Sequence, residues 1–163
     1  MSSYLILPRA RLGDAQTALL PLLARHGYVL RETRELGTRC LLLIDNPGPS
    51  VIATAEGAHG DWIAAIGPFL YRGERGPAAL RAYLDAFTSG AGLWAETQGH
   101  FTLIVHKVGT THLLCDGLGA HKVYHDPGRM VLSNSFLNVL TLLKRPALDP
   151  RGAYVYAWTG ACQ

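Results

Sequence analysis

Residues 110–143 run Thr110-Thr-His-Leu-Leu-Cys115-Asp-Gly-Leu-Gly-Ala-His121-Lys-Val-Tyr-His125-Asp-Pro-Gly-Arg-Met130-Val-Leu-Ser133-Asn-Ser135-Phe-Leu-Asn-Val-Leu140-Thr-Leu-Leu143. The stretch reads as strand over 111–116, a turn at Gly117 and Gly119, and strand over 122–125. The Asp126-Pro127-Gly128 turn then leads to a strand over 130–132. Phe136, Leu137, Leu140 and Leu143 mark a helix that Pro146 ends. Strands joined by short glycine and proline turns pair antiparallel, and the helix must cover one face of the sheet they form.

The same grammar extends upstream. Residues 100–107 alternate, with Phe101, Leu103 and Val105 on one face and His100, Thr102, Ile104 and His106 on the other. Before them, Pro77 opens a helix whose Leu80, Tyr83, Leu84 and Phe87 recur at i, i+3, i+4 and i+7. Residues 51–54 and 62–71 read as strands. Pro68 interrupts the second, and an edge position or a bulge is expected there because proline cannot donate to a ladder. Residues 28–33 and 39–45 pair around Gly37, and the turn set Asn46-Pro47-Gly48-Pro49-Ser50 follows. At the N-terminus residues 4–7 form a strand that Pro8 stops. Asp14 is read as the cap of a helix carrying Ala15, Leu19, Leu22, Leu23 and His26, with Pro21 expected to kink it or delay its start. At the other end Asp149-Pro150 opens a helix carrying Tyr154, Val155 and Trp158.

The order of elements is α+β, in 163 residues with 48% hydrophobic and 17% charged side chains. That length and composition suit one domain, residues 1–163, with one sizeable core. The formal charge is +3, but Lys144-Arg145 and the spaced Arg9 and Arg11 form no basic stripe, which argues against nucleic-acid binding. No apolar run approaches the ~18 residues of a membrane helix, and no secretory leader pattern opens the chain. Cys40, Cys115 and Cys162 are few, odd in number and unpaired in sequence, as in a cytoplasmic protein with reduced thiols.

The segments Cys115-Asp116-Gly117-Leu118-Gly119-Ala120-His121-Lys122-Val123-Tyr124 and Ser133-Asn134-Ser135-Phe136-Leu137 resemble two scaffold motifs of the glutaminase half of asparagine synthetases. There a strand ends in Arg-Asp, followed by x-x-Gly-x-x-Pro-Leu-Tyr-Tyr, and a later strand leads into a serine-containing helix start. Thr97-Gln98-Gly99-His100-Phe101-Thr102-Leu103-Ile104 is similar to a third, Leu-x-Gly-x-Phe-Ala-Phe-Ala. The resemblance covers about residue 60 to the end and weakly the first strand. It implies the four-layer αββα sandwich of the N-terminal-nucleophile hydrolases, as in class II glutamine amidotransferases.

The resemblance fails where that family does its chemistry. A cysteine exposed as residue two is its nucleophile, with the free α-amine as base; here Ser2 and Ser3 stand. Its Arg-Gly-Pro-Asp is absent, since the only Arg-Gly-Pro, Arg75-Gly76-Pro77, opens a downstream helix and is followed by Ala78. Its oxyanion motif Asn-Gly-Glu-Ile corresponds to Ile66-Gly67-Pro68-Phe69, and its ammonium-gripping Ser-Asp to Gly76-Pro77. The expectation is a degenerate domain with no catalytic, cofactor-binding or metal-binding residue. The rival reading is an active amidohydrolase using Ser2. Members of the family continue into an ATP-dependent synthetase domain. Such a partner is expected in cis beyond Gln163 or in trans, and self-association stays open.

Other candidates have plainer readings. His100 and His106, six residues apart on a strand, stand ~20 Å apart at ~3.3 Å per residue and cannot share an ion. His121 and His125 have helical spacing in a predicted strand. Asp116-Gly117-Leu118-Gly119 lacks the lysine of a phosphate loop and reads as a turn. Arg72, Glu74 and Arg75 read as a solvated loop, and Trp62, Phe69, Tyr71 and Trp94 as core or interface.

Overall fold

The structure, a computed structural model, describes residues 2–88, 94–143 and 146. The strands are β1 (Ser3–Pro8), β2 (Val29–Leu36), β3 (Arg39–Asp45), β4 (Ile52–Glu56), β5 (Trp62–Ile66), β6 (Phe69–Tyr71), β7 (Glu74–Arg75), β8 (Thr97–Gly99), β9 (Thr102–Lys107), β10 (Thr110–Cys115), β11 (Tyr124–His125) and β12 (Leu132–Ser133). Helices α1 (Leu12–Asp14), α2 (Leu20–Arg25), α3 (Gly76–Ala86) and α4 (Phe136–Leu142) complete the α+β chain. The helix expected from Asp149-Pro150 lies outside the described residues.

Three antiparallel sheets result, with strand orders β11-β12-β1-β3-β2, β10-β9-β5-β4 and β7-β6-β8. Three cores join them to each other and to the helices. Tyr4, Ile6, Leu41 and Leu43 of the first sheet share one with Trp62, Ala64, Ile66 and Ile104 of the second. Leu5, Leu7, Leu42 and Ile44 meet Ala15, Leu19, Val139 and Leu142 in another. Ile63, Ala65, Leu103 and Val105 meet Leu80, Tyr83, Leu84 and Phe87 in the third. The period-two alternation of β1, β3, β5 and β9 sends successive side chains to different cores, as the pleat requires.

Several expectations are corrected. Asp14 is no cap: its backbone is helical, and its carboxylate accepts a hydrogen bond from Arg11 Nε at 3.1 Å. The chain enters helical turns already at residue 9. Pro21, by contrast, marks a later helix start as expected, standing in the first turn of α2. It lacks the N–H that would bond back to Thr17, and the ladder widens into a π segment over Ala15–Leu19 before α2 resumes. Around Pro68 there is no bulge. Gly67 adopts φ 101°, the second sheet ends at Ile66, and Phe69–Tyr71 pair in the separate small sheet. The strand expected over 122–125 is reduced to Tyr124–His125. Glu74–Arg75 form β7, whereas Arg72 lies over the Tyr71 ring and pairs with Glu96.

Two long side chains tie edges together. Arg34 of β2 reaches the second sheet, its guanidinium 4.5 Å from the Trp62 ring centre, while His106 stacks on that ring at 5.6 Å. Lys107, at the end of β9, covers the last turn of α3. Its ammonium donates to the carbonyls of Leu84 at 2.6 Å, Asp85 at 3.1 Å and Phe87 at 2.8 Å. These are acceptors a helix C-terminus leaves open, and a cation there also suits the helix dipole. Replacing the ammonium with Lys107→Met should lower stability in urea titrations by roughly 1–3 kcal/mol. An unchanged midpoint would show that water satisfies those carbonyls equally well.

Candidate functional site

Ser2 is fully buried just ahead of β1. The Ser3↔Ile44 pairing carries it opposite Asp45 at the end of β3. Its Oγ lies 3.2 Å from Asp45 Oδ1 and 3.1 Å from Asn46 Oδ1, and the Asn46 N–H points at it from 3.4 Å. Ser50 Oγ donates to the same Asp45 oxygen at 2.6 Å. Arg31 binds Ser50 Oγ and the Ile52 carbonyl, each at 2.8 Å, and pairs with Asp45 at 3.7 Å. On the other side Asn134 Nδ2 donates to the Ser2 carbonyl at 3.2 Å and its Oδ1 accepts from the Tyr4 N–H at 3.0 Å. Ser3 faces away, accepting from Asn138 Nδ2 at 3.2 Å.

Chemically this surround holds the Ser2 hydroxyl between acceptor oxygens. Its near neighbours are acceptor oxygens, whereas stabilising an oxyanion needs converging donors. One long backbone N–H is the donor at Ser2 Oγ among the described residues. The Asp45 carboxylate that could take its proton already serves Ser50 and Arg31.

A second group of residues gathers at Gly67. With φ 101°, a Cβ there would press into the His100 carbonyl oxygen and stand 2.9 Å from His121 Cε1. Gly99, at φ 115°, meets the Pro68 carbonyl in the same manner. Two backbone segments therefore cross without side chains between them. The loop beyond β10 presses His121 against this crossing. Asp116, itself buried, accepts the N–H groups of Leu118 and Ala120 on Oδ1, both at 3.0 Å, and of His121 on Oδ2 at 3.2 Å. Burial alone would raise its pKa, but these backbone donors outweigh it and hold the carboxylate below its ordinary range. His121 is 8% exposed, and its Nδ1 has no hydrogen-bond partner among the described residues. Burial lowers its pKa, with nearby Asp116 opposing and His100 adding to the shift.

A pocket of about 170 Å³ opens beside the crossing, lined among others by Ser50, Val51, Gly67, Phe69, Gly76 and Leu80. Among the described residues no charged side chain lines it. Ser50 joins it to the Ser2 cluster.

The structure separates the remaining candidates. His100 is exposed outside the strands, His106 is in β9 bonded to Thr111 Oγ1 at 2.9 Å, and His125 bonds its neighbour's carbonyl. Among the described residues no group of three His, Cys, Asp or Glu could hold a metal. Gly117–Gly119 form a turn closed by Gly119 N–H to the Asp116 carbonyl at 2.9 Å. Trp62, Phe69 and Tyr71 are buried, while Trp94 is 41% exposed and lines a shallow pocket with His100 and Leu118. Sequence reasoning missed Asp45, Asn46 and Ser50 as the surround of Ser2. The signal was present, because an antiparallel β1–β3 pair must bring the end of one strand to the start of the other.

Comparison of the chain with protein-family models, with curated proteins and with solved structures found no match.

Two outcomes follow from the crossing. Gly67→Ala should destabilise far more than Gly73→Ala, since both glycines have positive φ but only Gly67 has backbone and a buried ring against it. Equal urea midpoints would contradict the contact. Because His121 binds a proton less readily folded than unfolded, its contribution is intact above about pH 6.5 and is lost as pH falls through the lowered folded value. His121→Phe should therefore flatten the fall in thermal midpoint below about pH 6.5. An unaltered pH profile would show that the ring is already hydrated.

Proposed function

We propose that this chain is a glutaminase-like domain of the asparagine synthetase type that no longer hydrolyses glutamine and serves a structural or binding role. It supports an ATP-dependent, amide-forming domain supplied in cis or in trans. The nitrogen for that reaction would then come from ammonia or an amine substrate directly. The three cores are consistent with a four-layer αββα stack, helices outside and two sheets within.

The observation that carries this reading is the state of Ser2: buried, hydrogen-bonded to Asp45 and Asn46, and without convergent donors among the described residues. A second supports it. Gly67 and Gly76, which the resemblance matches to the oxyanion motif and the ammonium-gripping pair, line the same small pocket. Among the described residues that line it, none carries a charge that could hold an α-carboxylate or α-ammonium.

Ammonia release from glutamine by the purified chain should equal that of Ser2→Ala, and a diazoketone analogue of glutamine should leave its mass unchanged. Ser2→Cys should not restore turnover, because a better nucleophile still lacks the donors that would stabilise its adduct. Removal of Met1 together with a covalent adduct on Ser2 would overturn the proposal in favour of an N-terminal-serine amidohydrolase.

A further inference from the structure

The gap between the two larger sheets ends in a polar row. Ile66, Thr102 and Cys115 are register partners across β5, β9 and β10, so their side chains leave the sheet on one face. Ile66 belongs to the core shared with Tyr4 and Ile6 of β1, as does Ile104, two positions along β9 from Thr102. Thr102 and Cys115 therefore face β1. Stacked sheets lie about 10 Å apart, and a tyrosine standing off one of them spans most of that gap.

Tyr4 and Thr102 are both 0% exposed. Neither Tyr4 Oη nor Thr102 Oγ1 has a hydrogen-bond partner among the described residues. The Cys115 thiol sits beside the Thr102 hydroxyl, and burial raises its pKa. The Tyr4 phenol is pushed up first by burial and then by Cys115. Apolar voids in proteins stay dry, but buried hydroxyls without protein partners are met by ordered water, usually with about three hydrogen bonds. A charged ligand does not suit this row, which offers two neutral hydroxyls and a neutral thiol.

We propose that the Tyr4 and Thr102 hydroxyls, with the Cys115 thiol beside them, form a binding site for ordered water between the two sheets. The water accepts from one hydroxyl and donates to the other, so neither is orphaned. The site lies on the same face of β1 as Ser2, two residues away, and continues the polar end of the gap inward. It stands whether or not Ser2 is reactive.

Isosteric replacements test this, because they remove the hydroxyls and keep the packing. Thr102→Val and Tyr4→Phe should each lower the folding equilibrium constant, by about three- to tenfold, the worth of one net hydrogen bond. The double variant should lose clearly less than the product of the two, since both groups share one solvent site. A dry row predicts the reverse: removing an unsatisfied hydroxyl leaves the constant unchanged or raises it. That result, or a double variant equal to the product, overturns the proposal. Should either variant fail to fold, magnetisation transfer from water to Thr102 in the unaltered chain decides. A long-lived water contact there supports the site, and its absence rejects it.

Discussion

The pairing of β1 with strands on both of its sides is the constraint on which the other features rest. Leu5 is the register partner of Leu42 in β3 and of Ser133 in β12, so the first strand of the chain is interior to its sheet. An interior strand buried on both faces must be apolar throughout, and Tyr4 to Leu7 meet that demand. Their alternation assigns Tyr4 and Ile6 to the core shared by the sheets and Leu5 and Leu7 to the helices. Fixing β1 in this way also fixes Ser2 and Asp45 side by side. It then leaves Asn134 and Ser133 to bond the Tyr4 backbone from the far strand. The site is a by-product of register.

Much of this architecture was legible because its signals are local. The Gly37 hairpin, the alternation of 101–105 and the i, i+3, i+4, i+7 spacing of α3 each rest on one period and one turn. What escaped depended on groups distant in sequence. Nothing near Phe69 announces that it pairs with Gly99 in a separate sheet. The switch is imposed by Gly67, whose positive φ is needed because the backbone at His100 lies against it. Pro21 was legible in part, since the later start of α2 was expected and the π segment before it was not. A proline inside a helix has more than one relief, and the sequence does not say that the ladder will widen into a π turn.

The candidate site divides in the same way. That residues 66–69 and 76–77 carry no charged or amide side chain could be read directly. How Ser2 is held could not, since Asn46 and Ser50 look like ordinary turn residues until the strand ends meet. His121 was likewise invisible as a buried group. Its burial comes from the Asp116 carboxylate gathering three backbone N–H groups and folding the loop inward.

The central place of β1 has a consequence for synthesis. A ribosome delivers residues 3–8 more than a hundred residues before β12, one of their two neighbours in the sheet. The β3 partner follows soon after and can shield one edge, leaving the other open until β12 emerges. Contacts so far apart in the chain slow folding and lengthen exposure of a sticky segment. The nascent polypeptide thus has a long interval in which a chaperone, or a neighbouring nascent chain, competes for the place that β12 finally takes.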